Sequence, residues 1–154
     1  MRHAAAAPEE EWAGDDESRP LTKRGREVTL KVARRLAAIG ARPDIVLTGP
    51  YVRSVQTAVI VAEGAAGVDV PVLDERLVPG FGMSELREML EEHASAGALM
   101  LVGHESDFSV VIGELIGGGR VTMKKASVAL VDIPGPPLAS GRLVWLVTPS
   151  LLVE

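Results

Sequence analysis

Residues 44–53 read DIVLTGPYVR, and the fold class of the chain can be inferred from them. Its first half is an apolar, β-branched run that stops at Gly49-Pro50, a pattern typical of a buried strand. From Tyr51 onward the pattern is that of a helix, which we predict over 51–64. Because a buried strand followed at once by a helix is half of a βαβ unit, the stretch predicts an α/β fold with parallel strands.

The same alternation runs along most of the chain. Helices are predicted at 22–39, 51–64, 84–94 and 105–116, and strands at 44–48, 70–73 and 98–102. The last part differs, because residues 126–133 and 142–148 flank a Pro-Gly-Pro-Pro segment, which is typical of a hairpin. We therefore predict a three-layer α/β sandwich whose central sheet is mostly parallel and has an antiparallel edge strand.

The apolar stripes of the first two helices indicate their buried faces. Thr22 stands where an N-cap is expected, and the first helix should end at Gly40. The inward positions are predicted to be Val28, Val32, Leu36 and Ile39 in the first helix and Val55, Val59 and Ala62 in the second.

Four basic or imidazole side chains are placed to meet at one edge of the sheet. Arg53 lies one turn beyond the strand at 44–48, and His104 follows the strand at 98–102. Loops that leave the carboxyl ends of parallel strands converge on one crevice. Together with Arg2 and His3 at the start of the chain, these residues could surround one phosphoryl group. Arginine suits such a site, since its planar fork can donate two parallel hydrogen bonds to phosphate oxygens.

Several short motifs follow one another in a fixed order. They are MRHA at 1–4, RPLT at 19–22 with Gly25, GPYVR at 49–53 with Gln56-Thr57-Ala58, and VGH at 102–104. This set resembles the histidine phosphatase superfamily. The RPLT motif in a short chain resembles its SixA-like phosphohistidine phosphatase branch.

The resemblance implies a metal-independent phosphatase with a covalent phosphohistidine intermediate. In it His3 would be the nucleophile, and Arg2, Arg53 and His104 would hold the phosphoryl oxygens. We expect the two nearby arginines to keep the ring of His3 neutral, with a pKa below the usual value of about 6.5. No cofactor is implied.

The group that protonates the leaving group is open. Glu75 follows a strand and resembles the carboxylate that superfamily members carry after the corresponding strand, but it could equally be a solvated loop residue. Asp15, Asp16 and Glu17 are the alternatives. Arg19 is expected to reach the rim of the pocket and contribute to substrate binding.

Two departures from the family pattern stand out. Only Met1 precedes Arg2, whereas relatives have several apolar residues there, so the first strand is expected to be truncated or to be a stub. Gly49 stands where the family usually has serine, which removes a hydroxyl that could donate to phosphate.

The short chain and the chemistry of the leaving group favour protein phosphohistidine as substrate, because a P–N bond to imidazole is more labile than a phosphate ester. The alternatives are a small-metabolite phosphomonoesterase and a non-catalytic module that binds phospho-ligands. A metal-dependent hydrolase using His3 and His104 is a poorer hypothesis, since no close His/Asp ligand pair appears.

Composition narrows the remaining classes. A chain of 154 residues fits one domain, 1–154, which can bury roughly 70% of its unfolded surface. A net charge of -5 without a basic block argues against nucleic acid as partner. The absence of cysteine excludes disulfides and thiolate chemistry. No apolar stretch is long enough for a membrane span, so a cytoplasmic location is expected.

Overall fold

The three predicted parallel strands form a sheet in a computed structural model, which describes residues 1–65, 70–135, 138 and 140–152. They are β1 (Ile45–Thr48), β2 (Val72–Leu73) and β3 (Leu99–Val102), in the spatial order β2-β1-β3 and all parallel. Strands β4 (Val128–Asp132) and β5 (Arg142–Val147) form an antiparallel pair. The predicted mixed α/β fold is confirmed; Pro136 and Pro137 of the expected hairpin turn lie outside the described residues.

Residues 1–3 join the two sets of strands. Arg2 pairs in parallel with Gly103, directly beyond β3, and the N–H of His3 donates to the Gly103 carbonyl at 3.0 Å. On the other side, the N–H of Arg2 donates to the carbonyl of Ser127 at 3.1 Å, just before β4. The segment therefore takes the central place in the sheet, and His3 stands at its carboxyl end.

The amino group of Met1 lies inside this sheet. It donates a hydrogen bond to the carbonyl of Leu101 at 2.7 Å, and burial lowers its pKa to about 5. Next to Met1, an apolar cavity of about 360 Å³ is lined by residues of β3 and β4 together with Leu86 and Phe108.

The helices cover both faces of the sheet. They are α1 (Lys23–Ala38), α2 (Val52–Gly64), α3 (Met83–Glu92), α4 (Asp107–Leu115) and the short α5 (Pro149–Leu152). Successive strand residues point to opposite faces. Val46 accordingly packs with Val32, Leu36 and Val61 of α1 and α2, whereas Leu47 packs with residues of α3 and α4 such as Met89. This gives the three layers expected from the sequence.

The buried face of α2 differs from the prediction. Val59 is exposed, and Val55 and Ala62 are only half-buried, so the predicted stripe was wrong. The residues that face inward are Arg53, Ser54, Thr57, Ala58 and Val61. The physical reason is that the first turns of α2 face a polar site, where an apolar stripe would have no partner.

In α1 the prediction is confirmed in part. Thr22 is the N-cap, and its Oγ1 accepts from the N–H of Gly25 at 2.9 Å. Val32 and Leu36 are buried, but Ile39 is 52% exposed, because it lies at the C-cap, where the chain turns away from the core. Gly40 follows with φ +78°, a left-handed conformation that suits glycine at a helix end.

Candidate active site

His3 has a fixed orientation at the carboxyl end of the first segment. It is buried, and its Nδ1 lies 2.8 Å from the carbonyl oxygen of Ala4. Since a carbonyl only accepts, Nδ1 carries the proton, and Nε2 is left with its lone pair. The ring therefore has the tautomer that a nucleophile attacking through Nε2 requires.

The environment of His3 keeps its ring neutral. Burial, above all, lowers the pKa to about 3; the hydrogen bond to Ala4 opposes this, and His104, Arg53 and Arg2 lower the pKa further. The neutral ring agrees with the expectation from the sequence. The main cause of the lowered pKa is different, because the sequence led us to expect the two arginines. Desolvation outweighs the arginines, because the ring is enclosed by the strand ends.

His104 faces His3 across the site. The two ring centroids are 5.2 Å apart with an interplanar angle of 58°. Burial, followed by the charge of Arg53, lowers the pKa of His104 to about 4. Its Nε2 lies 3.4 Å from the hydroxyl of Ser54, and the ring of Tyr51 meets it edge-on at 4.8 Å. Both imidazoles are thus neutral at pH 7.

Arg53 enters the site from the first turn of α2. It is buried, and its guanidinium carbon lies 4.8 Å from the centroid of the Tyr51 ring, a cation–π distance. Nη1 and Nη2 donate to Asp16, at 2.5 Å to the backbone carbonyl and 2.8 Å to Oδ2. Its Nε is buried and has no partner among the described residues.

Arg2 presents a second buried N–H. Nη1 donates to the carbonyl of Met123 at 2.7 Å, while Nε is buried and has no partner among the residues described. A buried unsatisfied donor costs about 1–3 kcal/mol. Each of these Nε–H groups is able to donate to an oxyanion, and the charges of both arginines act on His3 and on His104. The structure thus brings the four predicted residues to one site.

Arg19 stands behind this group. Its Nε and Nη2 donate to Oδ1 of Asp16, and its Nη1 donates to the carbonyl of Ala7 at 2.9 Å. The contact that the structure gives Arg19 is therefore with Asp16. Direct contact between Arg19 and substrate stays a prediction.

Glu75 is an exposed residue of the turn after β2. Among the described residues its carboxylate has no hydrogen bond or ion pair, whereas its neighbours Asp74 and Arg76 form a network with Glu88 and Glu92 of α3. A proton-donating role for Glu75 stays a prediction. Of the alternatives, the Asp15 carboxylate accepts from the N–H of Ser18, and the Asp16 carboxylate is bound to two arginines.

Gly49 is required by close packing. A Cβ at this position would lie 1.9 Å from the carbonyl oxygen of Leu77, so no side chain fits without movement of the backbone. The close packing of the turn before α2 against Leu77 explains why this chain has glycine, and not serine, at position 49.

Several residues of the site were not found from the sequence. Tyr51 and Ser54 contact His104, and the Met123 carbonyl orients Arg2. Tyr51 lies in the same GPYVR motif as Arg53, so the sequence does contain a signal for it. For Met123 the sequence contains no signal, because only its backbone carbonyl takes part and it lies 121 residues from Arg2.

In the part of the chain that the structure describes, no three His, Asp or Glu side chains lie close enough to hold a metal ion. Within the same residues no helix has the length and apolar character needed to cross a membrane.

The histidine phosphatase superfamily (branch 1) model matches residues 1–99, which include Arg2, His3 and Arg53. The chain belongs to this superfamily. It is also 34% identical over 135 residues to an uncharacterized protein of Picosynechococcus sp., a match that covers 83% of this chain and 79% of the relative. Membership of the superfamily supports a phosphatase activity.

Solved structures of other phosphatases have the same fold. The protein histidine phosphatase SixA complexed with tungstate has a TM-score of 0.87 at 22% identity, covering 99% of this chain and 96% of that chain. An alpha-ribazole phosphatase from Shigella flexneri has a TM-score of 0.73 at 17% identity, covering 97% and 95%. At these identities the likeness concerns the fold, and both protein and small-molecule substrates occur among the neighbours.

Proposed function

We propose that this phosphatase hydrolyses protein phosphohistidine without a metal ion, through a phosphoryl group carried by His3. The observation that supports it best is the pairing of His3 Nδ1 with the Ala4 carbonyl at 2.8 Å, in a site where two arginine Nε–H groups have no acceptor within the described part of the chain. Nε2 is then the nucleophilic atom. The arginines are the donors for the charge on the phosphoryl oxygens.

In the first step, the lone pair of His3 Nε2 attacks phosphorus in line with the departing group. The new N–P bond forms as the P–N bond of the substrate breaks, and the substrate imidazole keeps that electron pair and takes up a proton from the solvent. In the second step, water attacks phosphorus and releases a proton to the solvent, the N–P bond breaks to give inorganic phosphate, and its electron pair returns to His3 Nε2. Arg2, Arg53 and His104 hold the oxygens throughout, so catalysis is mainly positioning and charge stabilisation.

The carboxylates near the site favour a labile leaving group. Glu75 is exposed, and Asp16 is paired with Arg53 and Arg19; among the described residues, neither carboxylate forms a hydrogen bond with His3. A phosphate monoester needs a well-placed acid more than a phosphoramidate does. This supports phosphohistidine over a stable sugar phosphate.

A small phosphorylated metabolite is the second candidate substrate. The fold likeness to an alpha-ribazole phosphatase, with a TM-score of 0.73, favours it. Comparing kcat/KM for a phosphohistidine peptide with that for several phosphate monoesters tests the choice. A preference for one of the monoesters would overturn phosphohistidine as the substrate.

The covalent intermediate can be tested separately. Incubation with a labelled phosphodonor and chelator should give an acid-labile, base-stable label on the parent protein and none on His3→Asn. His93→Asn, which changes a histidine at the end of α3, is the matched control and should label like the parent. If the parent stays unlabelled and inactive, a non-catalytic phospho-ligand module is the better description; activity lost with chelator would overturn metal independence.

A further inference from the structure

Asp16 holds the candidate phosphate-binding Arg53 by two different groups. Its backbone carbonyl accepts from Nη1 at 2.5 Å, and its Oδ2 accepts from Nη2 at 2.8 Å. The other carboxylate oxygen, Oδ1, accepts from Nε and Nη2 of Arg19. One carboxylate thus bridges two guanidinium groups.

The loop that carries Asp16 is fixed to α2. The carbonyl of Glu17 accepts from the N–H of Val52 at 2.9 Å, directly before Arg53. Within the loop, the N–H of Ser18 donates to Oδ1 of Asp15 at 2.8 Å. Asp16 therefore approaches Arg53 from a loop that is fixed on both sides.

The contacts leave one edge of the Arg53 guanidinium for another ligand. Asp16 uses the two terminal nitrogens, whereas Nε is buried and meets no acceptor among the residues that the structure describes. A planar guanidinium can bind one acceptor set at its end and another along its Nε side. Holding the terminal nitrogens fixes the plane of the group and hence the direction of the Nε–H bond.

The carboxyl group of Asp16 is an anion. Burial works to raise its pKa, but the hydrogen bonds and charges of Arg53 and Arg19 outweigh burial and hold the pKa below its usual range. A carboxyl group in this state is a poor proton donor to a leaving group.

We propose that Asp16 is a positioning residue, which fixes the terminal nitrogens of Arg53 so that its Nε–H points at a phosphoryl oxygen, with Arg19 holding the carboxylate from behind. The role rests on the proposed function, since it concerns the same phosphoryl group. It differs from general acid catalysis, in which Asp16 would carry a proton, and from simple competition, in which Asp16 would occupy the place of the phosphoryl group.

The experiment compares Asp16→Ala and Asp16→Asn with the parent. A displaced catalytic group can cost on the order of a hundredfold in rate, so kcat should fall by about tenfold to a hundredfold in Asp16→Ala and less in Asp16→Asn, which keeps one acceptor. Both variants remove the negative charge of Asp16, which should favour the binding of anions at the site. The inhibition constant of tungstate should therefore not be higher in the variants than in the parent. Glu27→Gln, which removes the charge of an exposed carboxylate on α1 away from the site, should keep the parent kcat.

The leaving group separates positioning from acid catalysis. Positioning predicts a similar loss of kcat with p-nitrophenyl phosphate, whose leaving group needs no proton, and with a phosphohistidine peptide. A loss confined to poor leaving groups, with Asp16→Asn as impaired as Asp16→Ala, would overturn the proposal in favour of an acid. An unchanged or higher kcat in Asp16→Ala, with tighter tungstate binding, would overturn it in favour of competition.

A binding measurement keeps the inference separate from the proposed function. The Nε–H proton of Arg53, assigned with Arg53→Lys, should shift in the NMR spectrum when tungstate is added to the parent, whether or not the protein turns over substrate. In Asp16→Ala the signal should broaden or shift less. A parent protein without phosphatase activity that still gives this response would refute the function and retain the role of Asp16 in orienting Arg53, whereas an Arg53 signal equal in both proteins would refute that role.

Discussion

The imidazole rings of His3 and His104 lie 5.2 Å apart, and both are held neutral mainly by burial. Of the four site residues, only Arg2 and Arg53 are therefore positively charged at pH 7, and both imidazoles are uncharged. The nucleophile is therefore available over a wide range of pH.

The first prediction concerns protonation of these rings. The pKa of His3 is lowered to about 3 and that of His104 to about 4, so neither ring should take up a proton between pH 7 and 5. Titration of the ring signals by NMR, assigned with His3→Asn and His104→Asn, measures this directly. A midpoint near 6.5 for His3 would contradict the buried, neutral nucleophile.

The second prediction concerns stability against acid. In the unfolded chain His3, His104 and the Met1 amino group regain their usual pKa values, so they bind more protons there than in the folded state. Above about pH 8 these groups are neutral in both states, and they do not lower the free energy of unfolding. As the pH drops toward 3, they take up protons in the unfolded chain first, so the free energy of unfolding decreases. Urea unfolding at pH 8, 6.5 and 5 should give decreasing free energies of unfolding, and blocking the amino group chemically in the unfolded chain would probe the share of Met1. A free energy that rises toward pH 5 would contradict this.

The third prediction concerns the fork of Arg53. Arg53→Lys keeps the charge but removes Nε–H and the planar pair of terminal nitrogens that contacts Asp16. We expect kcat/KM to fall by about a hundredfold, as on loss of an oxyanion-hole donor. Arg26→Lys, an exposed change on α1, is the control and should be neutral. Activity of Arg53→Lys equal to that of the parent would show that charge alone suffices.

The fourth prediction concerns the turn before α2. Gly49→Ala places a methyl group 1.9 Å from the Leu77 carbonyl, so the backbone must move, and overpacking of this kind costs about 1–3 kcal/mol. Gly82→Ala, where the nearest atom is the Glu85 carboxylate at 3.4 Å, should cost less. Denaturant unfolding of both variants gives the comparison. Equal stabilities would mean that the contact with Leu77 is not restrictive.

Much of the fold could be predicted, because local pattern and tertiary structure agree at β1, the Gly49-Pro50 turn and α2. The same agreement explains why Arg53 and His104 were expected at one edge of the sheet. The prediction of the buried face of α2 was wrong for a physical reason. The first turns of this helix bury Arg53 and Ser54 against the site, so polar residues there indicate a functional site and not a solvent-exposed face.

The parts of the site that could not be predicted depend on tertiary contacts without a sequence signal. Asp16 lies in an acidic, solvated-looking loop, and only the fold brings it to Arg53, which is 37 residues away. The same holds for the Met123 carbonyl beside Arg2. The main cause of the lowered pKa of His3 is burial of the ring, and the sequence does not show that the ring is buried.

The close packing of Gly49 against Leu77 has a practical consequence for the recognition of related sequences. A search motif that demands a hydroxyl residue before Pro50 would pass over any chain that packs this turn as tightly as this one does. Glycine should therefore be accepted at that position when relatives are collected.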